Sequence, residues 1–113
     1  MEVFKEFSFD SAHWLPNVAP GHKCGRMHGH TYRVRLSVIG DINLETGFVI
    51  DFGDLKGLVK PVIDELDHQV LNDWITNPTC ENLAMYFAER VLGLDVVEVW
   101  ETPTSGCRYV VPR

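Results

Sequence analysis

Alternation of apolar and polar positions begins close to the N-terminal end. From Phe7 to Ser11 the chain runs apolar, polar, apolar, polar and then small, and Val3 to His13 reads as one strand of about residues 2–13, with His13 near its end. Pro16, Asn17, Pro20, Gly21 and Gly25 punctuate a loop over 14–27. A second strand is predicted from about His28 to Ile39. Gly40-Asp41 and Thr46-Gly47 mark turns around the short apolar piece Phe48-Val49-Ile50. The period then changes. Leu55, Leu58, Val59, Val62, Ile63 and Leu66 recur at helical spacing, Asp51 is placed to cap that helix, and Pro61 predicts a kink within it. Residues 67–78 return to loop chemistry. Thr79 caps a second helix with Glu81 in its first turn, an apolar stripe of Leu83, Ala84, Phe87, Ala88, Val91 and Leu92, and Gly93 as its stop. Val96 to Glu101 reads as a third strand, and Ser105-Gly106 as the turn into a last strand, Cys107 to Val111.

The order β-β-α-α-β-β predicts an α+β architecture: one antiparallel four-stranded sheet with two helices on one face. All of it fits a single domain over residues 1–113. Such a sheet exposes two edges and, on its far face, several large residues, and closure into a homo-oligomer is the expected remedy.

Composition narrows the function classes. The net charge of −6 argues against a broad nucleic-acid surface. No apolar run approaches the ~18 residues that span a bilayer, and no basic-then-apolar leader is seen. Three cysteines, Cys24, Cys80 and Cys107, do not describe a disulfide framework, so a reducing cytoplasm is expected. Arg33, Arg35 and Arg108 lie on strands, and Arg33 and Arg35 read as solvated strand charges.

The chemistry gathers in Cys24-Gly25-Arg26-Met27-His28-Gly29-His30. On a strand, positions i and i+2 share a face, so His28 and His30 converge on one point. A His-x-His pair alone is weak evidence. If the first two strands pair antiparallel across the loop, His13 lands beside them, and three imidazoles offer a tetrahedral metal an open fourth position. Cys24, flanked by Lys23 and Arg26, is either a fourth ligand closing that site or a thiolate base beside it. Asp67-His68 reads either as helix C-terminal chemistry or as a proton-transfer histidine oriented by a carboxylate. Glu101, at a strand end, is a surface acid unless paired N–H donors of a planar heterocycle meet it. Cys80 and Cys107 read as packing residues.

These motifs coincide with one family. His13, the Cys24-to-His30 motif, Leu66-Asp67-His68, Pro78-Thr79-Cys80-Glu81-Asn82-Leu83-Ala84 and Glu101-Thr102 resemble the 6-pyruvoyl-tetrahydropterin synthase superfamily through nearly the whole chain. The Cys-x-x-x-His-Gly-His spacing, with Gly21-His22-Lys23 before it, looks most like the bacterial 6-carboxy-tetrahydropterin synthase branch, which serves queuosine and other 7-deazapurines. A branch that cleaves dihydroneopterin phosphates typically has Glu in place of the Cys, and Cys24 speaks against it. The resemblance implies a tunnelling fold, with trimers closing a barrel and two trimers stacking into a hexamer. It implies Zn2+ on His13, His28 and His30, and acid-base roles for Cys24, Asp67 and His68. Glu101 would anchor the pterin, with Thr79 and Cys80 near the ring, and Lys23 and Arg26 would meet the triphosphate. The implied substrate is 7,8-dihydroneopterin triphosphate, converted to 6-carboxy-5,6,7,8-tetrahydropterin, acetaldehyde and triphosphate. The alternatives are a 6-pyruvoyl-tetrahydropterin synthase and a non-catalytic domain in which zinc only staples two strands.

Overall fold

The two N-terminal alternating runs form the longest strands. In the computed structural model, which describes all residues 1–113, β1 (Glu2–His13) and β2 (His28–Ile39) pair antiparallel in continuous register, from Glu2 opposite Ile39 to His13 opposite His28. Helix α1 (Phe52–Leu66) follows, then β3 (Gln69–Val70), α2 (Cys80–Arg90), β4 (Val96–Thr102) and β5 (Ser105–Val110). The sheet order is β3-β1-β2-β4-β5.

The four-stranded antiparallel expectation is corrected here: the sheet has five strands and is mixed, because β3 runs parallel to β1 through Ser11 opposite Gln69 and Ala12 opposite Val70. A two-residue strand carries no period, so nothing in 67–78 signals it. Its pairing is imposed by β1, whose Ser11 hydroxyl donates to the Gln69 carbonyl (2.7 Å).

Alternate residues of the long strands build one core. Phe9 from β1, Tyr32, Val34 and Leu36 from β2, and Val97 and Val99 from β4 meet Leu55, Val59, Val62, Ile63 and Leu66 of α1 and Leu83, Ala84 and Phe87 of α2. Asp51 and Thr79 cap their helices as expected, accepting from the Gly53 and Asn82 N–H groups. Two stripe positions depart from the reading: Leu58 is 52% and Leu92 84% exposed. Leu58 sits on the outer side of α1, and α2 ends at Arg90, before Leu92. Helix α1 is one element through Pro61, because Pro61 and Gly57, four residues earlier, both lie on the exposed side, where water can meet the carbonyl that proline leaves unpaired.

The far face of the sheet is not a field of solvated charges. The Arg33 guanidinium lies 3.9 Å over the Trp100 ring, and Arg35 bonds Glu6 (2.6 Å) and covers Phe4 at 4.2 Å. These half-buried arginines are corrected from free strand charges to members of a stacked, ion-paired layer.

Ser105-Gly106, read as a turn, belongs to β5, and the turn is Pro103-Thr104. Gly106 is required by close approach: a Cβ there would stand 2.3 Å from the Val99 carbonyl oxygen. Gly106→Ala is expected to force β5 away from β4 and to cost about 1–3 kcal/mol in chemical denaturation. An unchanged midpoint would show that β5 can shift freely.

Candidate active site

The antiparallel register alone brings the histidines together. His13 at the end of β1 faces His28 at the start of β2, and strand alternation turns His30 to the same side. The ring centroids lie 4.5 Å (His13–His28), 5.1 Å (His13–His30) and 4.9 Å (His28–His30) apart. One nitrogen from each ring falls within 4.8 Å of the others.

The outer hydrogen bonds decide which nitrogens face inward. His13 Nδ1 lies 2.7 Å from the Pro78 carbonyl, and His28 Nδ1 lies 2.7 Å from the Arg26 carbonyl. A carbonyl only accepts, so both Nδ1 atoms carry the proton and both Nε2 atoms present lone pairs. Those two Nε2 atoms stand 2.9 Å apart. Facing lone pairs repel unless a cation lies between them. Burial, the largest influence on each, holds His13 and His30 below the ordinary imidazole range, which disfavours a shared proton. Neutral imidazoles oriented by outer acceptors are the donor set of a metal site, and the cluster fits one.

Beneath the cluster lies Tyr32, fully buried, whose ring is 5.5 Å from His30 and whose hydroxyl is 3.2 Å from His13 Nδ1. Burial pushes its phenol pKa well up, so it stays neutral. The sequence reading did not single it out. The signal was present in His28-x-His30-x-Tyr32, three same-face positions of one strand.

A cavity of about 440 Å³ opens over the histidines, walled by His13, Lys23, Cys24, His28, His30 and Glu101. Glu101 Oε1 is 4.0 Å from His13 Nε2, so this carboxylate faces the cluster rather than open solvent. The Cys24 thiol shares the cavity but falls outside the three-nitrogen cluster. Cys24 is presented by a single 3-10 turn, Lys23–Gly25.

Other candidate residues lie elsewhere. Arg26 lines a separate cavity behind the loop and serves the site through its carbonyl. The Thr79 hydroxyl is engaged with the Asn82 N–H, and Cys80 is buried with its Sγ 3.3 Å from the Val99 carbonyl and 3.4 Å from Cys107 Sγ. Neither lines the cavity. Burial pushes the Cys80 and Cys107 thiols up, as befits packing residues.

His68 opens onto a different cavity, with Asp10, Thr31 and Asp73, and its neighbour Asp67 lines neither. Both residues are nevertheless fixed. Asp67 accepts from the Asp10 N–H (2.9 Å), the His68 N–H donates to the Asp10 carbonyl (2.6 Å), and His68 Nδ1 is 3.0 Å from Asp67 Oδ2. His68 holds φ +57, a left-handed backbone unusual for histidine, and these bonds on both sides impose it. The neighbours do pair: Asp67 raises the His68 pKa above 6.5, chiefly through their hydrogen bond. The Asp10 N–H, with His68 behind it, draws Asp67 below 3.8. The ion pair therefore persists between those limits. Its His68 contribution fades as pH climbs through the raised value, and its Asp67 contribution fades as pH falls through the lowered one. In Asp67→Asn, the His68 ring is expected to titrate at a lower pH than in the native chain when followed by NMR. An unmoved midpoint would remove Asp67 as its partner.

Sheet, helices and a tri-histidine cavity with a thiol and a carboxylate define the class: an α+β domain with a pocket whose three histidines could hold a metal ion. Comparison with known proteins is specific. The family profile described as 6-pyruvoyl tetrahydropterin synthase matches residues 2–111. A Synechocystis 6-carboxy-5,6,7,8-tetrahydropterin synthase is 42% identical, covering 98% of this chain and 94% of the relative. The Haemophilus influenzae protein of the same name is 34% identical over 96% of this chain and 97% of its own length. The Caenorhabditis elegans 6-pyruvoyl tetrahydropterin synthase structure superposes with a TM-score of 0.89 at 27% identity, covering 99% of this chain and 96% of that one. The chain belongs to the 6-pyruvoyl tetrahydropterin synthase family.

Proposed function

We propose that this chain, as one domain over residues 1–113, is a zinc-dependent 6-carboxy-5,6,7,8-tetrahydropterin synthase. It acts on 7,8-dihydroneopterin triphosphate and one water molecule, which supplies the second carboxyl oxygen, and releases 6-carboxy-tetrahydropterin, acetaldehyde and triphosphate, as a step toward queuosine and other 7-deazapurines. The observation that carries this reading is the shared cavity: three clustered imidazoles, a thiol and a carboxylate around about 440 Å³, a volume suited to a bicyclic heterocycle with a short tail. The names of the two curated relatives support the same choice.

His13, His28 and His30 would hold zinc, which when bound polarises the side-chain oxygens of the substrate and acidifies its neighbouring hydroxyl and C–H groups. Glu101 accepts the paired N–H donors of the pterin edge and so sets its orientation. Cys24, as thiolate, takes a proton from the side chain. His68, kept protonated by Asp67, returns one on the other side. Lys23, in the cavity wall, meets the triphosphate, with Arg26 behind the same loop. Thr79 and Cys80 act near the ring through backbone only, given that their side chains are engaged elsewhere.

Because Asp67 and His68 do not line the Cys24 cavity of the same chain, the reading includes a homohexamer of two trimers with sites between subunits. Unpartnered edges along β5 and along Glu2–Phe9 of β1 support it. No helix is long and apolar enough to cross a membrane. A cytoplasmic location suits the three free thiols.

Product analysis tests the proposal. Incubation with 7,8-dihydroneopterin triphosphate is expected to yield acetaldehyde and triphosphate in equal amounts, with 6-carboxy-tetrahydropterin by mass. Triphosphate without acetaldehyde would assign the chain instead to 6-pyruvoyl-tetrahydropterin synthesis, the reading favoured by the likeness to the C. elegans structure. No turnover, together with unfolding on chelation, would leave only a zinc-stapled binding domain.

A further inference from the structure

The loop that carries Cys24 has no strand or helix of its own beyond a single 3-10 turn, yet it places a thiol in the cavity wall. Its order comes from few bonds. The Cys24 carbonyl accepts from the Leu15 N–H at 2.9 Å. The Cys24 N–H donates to Nδ1 of His22 at 3.0 Å. His22 also closes the turn through its backbone: its carbonyl accepts from the Gly25 N–H, and its N–H donates to the Ala19 carbonyl, both at 3.0 Å. One exposed imidazole therefore fills the place that Asn, Asp or Ser usually takes at the head of a turn, with its proton on Nε2 and its Nδ1 lone pair aimed at the thiol-bearing residue.

We propose that His22 is a positioning residue for the reaction: its ring fixes the backbone of Cys24 and so holds the thiol at the distance proton abstraction requires. This rests on Cys24 being the proton-abstracting group. His22 is not in the wall of the histidine cavity and is not among the metal-binding nitrogens, so its effect passes through the turn alone. A loosened turn lets Cys24 sample positions away from the substrate, and small misplacements of a catalytic group are costly. Binding of the pterin, set by Glu101 on β4, is left unchanged.

The test compares His22→Ala with His22→Asn, whose side-chain oxygen can accept the same N–H two residues on. Deuterium uptake at the Cys24 amide is expected to rise about tenfold in His22→Ala and to return to within about threefold of native in His22→Asn. Turnover number is expected to fall about five- to tenfold in His22→Ala, with KM within about twofold and the metal retained, and to recover in His22→Asn. Native turnover in His22→Ala, or an Asn variant as impaired as Ala, overturns the proposal. Cys24→Ala separates the two readings. If Cys24→Ala is inactive while faster exchange in His22→Ala leaves turnover intact, the tether is without catalytic effect and the proposal fails alone. If Cys24→Ala remains active, the assignment of Cys24 fails, and the proposal with it.

Discussion

His28→Ala is expected to lose its metal and nearly all turnover while keeping its fold. Three neutral nitrogens make the site, and two of them face each other at 2.9 Å with lone pairs inward, so removing one leaves a two-ligand pocket. Deleting even an outer hydrogen-bond partner of a ligand typically costs 10–100-fold in affinity, and deleting the ligand itself is expected to exceed about 100-fold. Loss of Lewis-acid stabilisation worth several kcal/mol corresponds to at least about a thousandfold in rate. His28 is the informative choice because its ring is half-exposed, whereas His13 is fully buried and bonded to the Pro78 carbonyl. The apolar core is built from other residues, Phe9, Tyr32 and Leu36 among them, so the thermal midpoint is expected to move little. Metal content after gel filtration, turnover and a circular-dichroism melt read the three parts separately. A variant that keeps full metal would remove His28 from the ligand set. Native protein unfolded by chelation would make the metal a staple instead.

Cys24→Ala should give the opposite pattern at the metal and the same pattern in rate. Its thiol shares the cavity wall but falls outside the cluster of inward nitrogens. The variant should bind metal as the native chain does. Loss of a positioned proton acceptor typically costs about 10²–10⁴-fold, and turnover is expected to fall in that range. Binding of a pterin is expected to persist, since Glu101 stands on β4 and is untouched. Metal analysis alongside steady-state kinetics decides between the two readings of the thiol. Metal lost from Cys24→Ala would make it a fourth ligand, and the acid-base scheme would fail.

Much of the fold was readable from periodicity because long elements repeat their signal. The 12-residue strands β1 and β2 and the capped helices begin and end close to where alternation, helical spacing, Asp51 and Thr79 place them. Short or exposed features carried no such signal. Gln69–Val70 is too brief to alternate, Leu58 and Leu92 have the right spacing or composition but face water, and Ser105-Gly106 has turn residues inside a strand because Gly106 must pass close to Val99. Arg33 and Arg35 look free until Trp100, Phe4 and Glu6 arrive from other strands.

For the site, local sequence was enough to align His28 with His30, since alternation along one strand is a property of the backbone itself. It also offered His13 and Cys24 as neighbours of that pair, left Asp67-His68 open between two readings, and read Glu101 as a surface acid until the family resemblance was considered. Their grouping was decided elsewhere. The β1–β2 register set His13 against His28, and carbonyls of Arg26 and Pro78, two and sixty-five residues from the rings they orient, turned both Nε2 atoms inward. Asp10 locked Asp67 and His68 onto the edge of β1, outside the Cys24 cavity, with His68 facing another. Residue identity determines which protons and lone pairs a chain can offer. Where those lone pairs point depends on acceptors contributed by distant segments, and only the folded chain brings them into place.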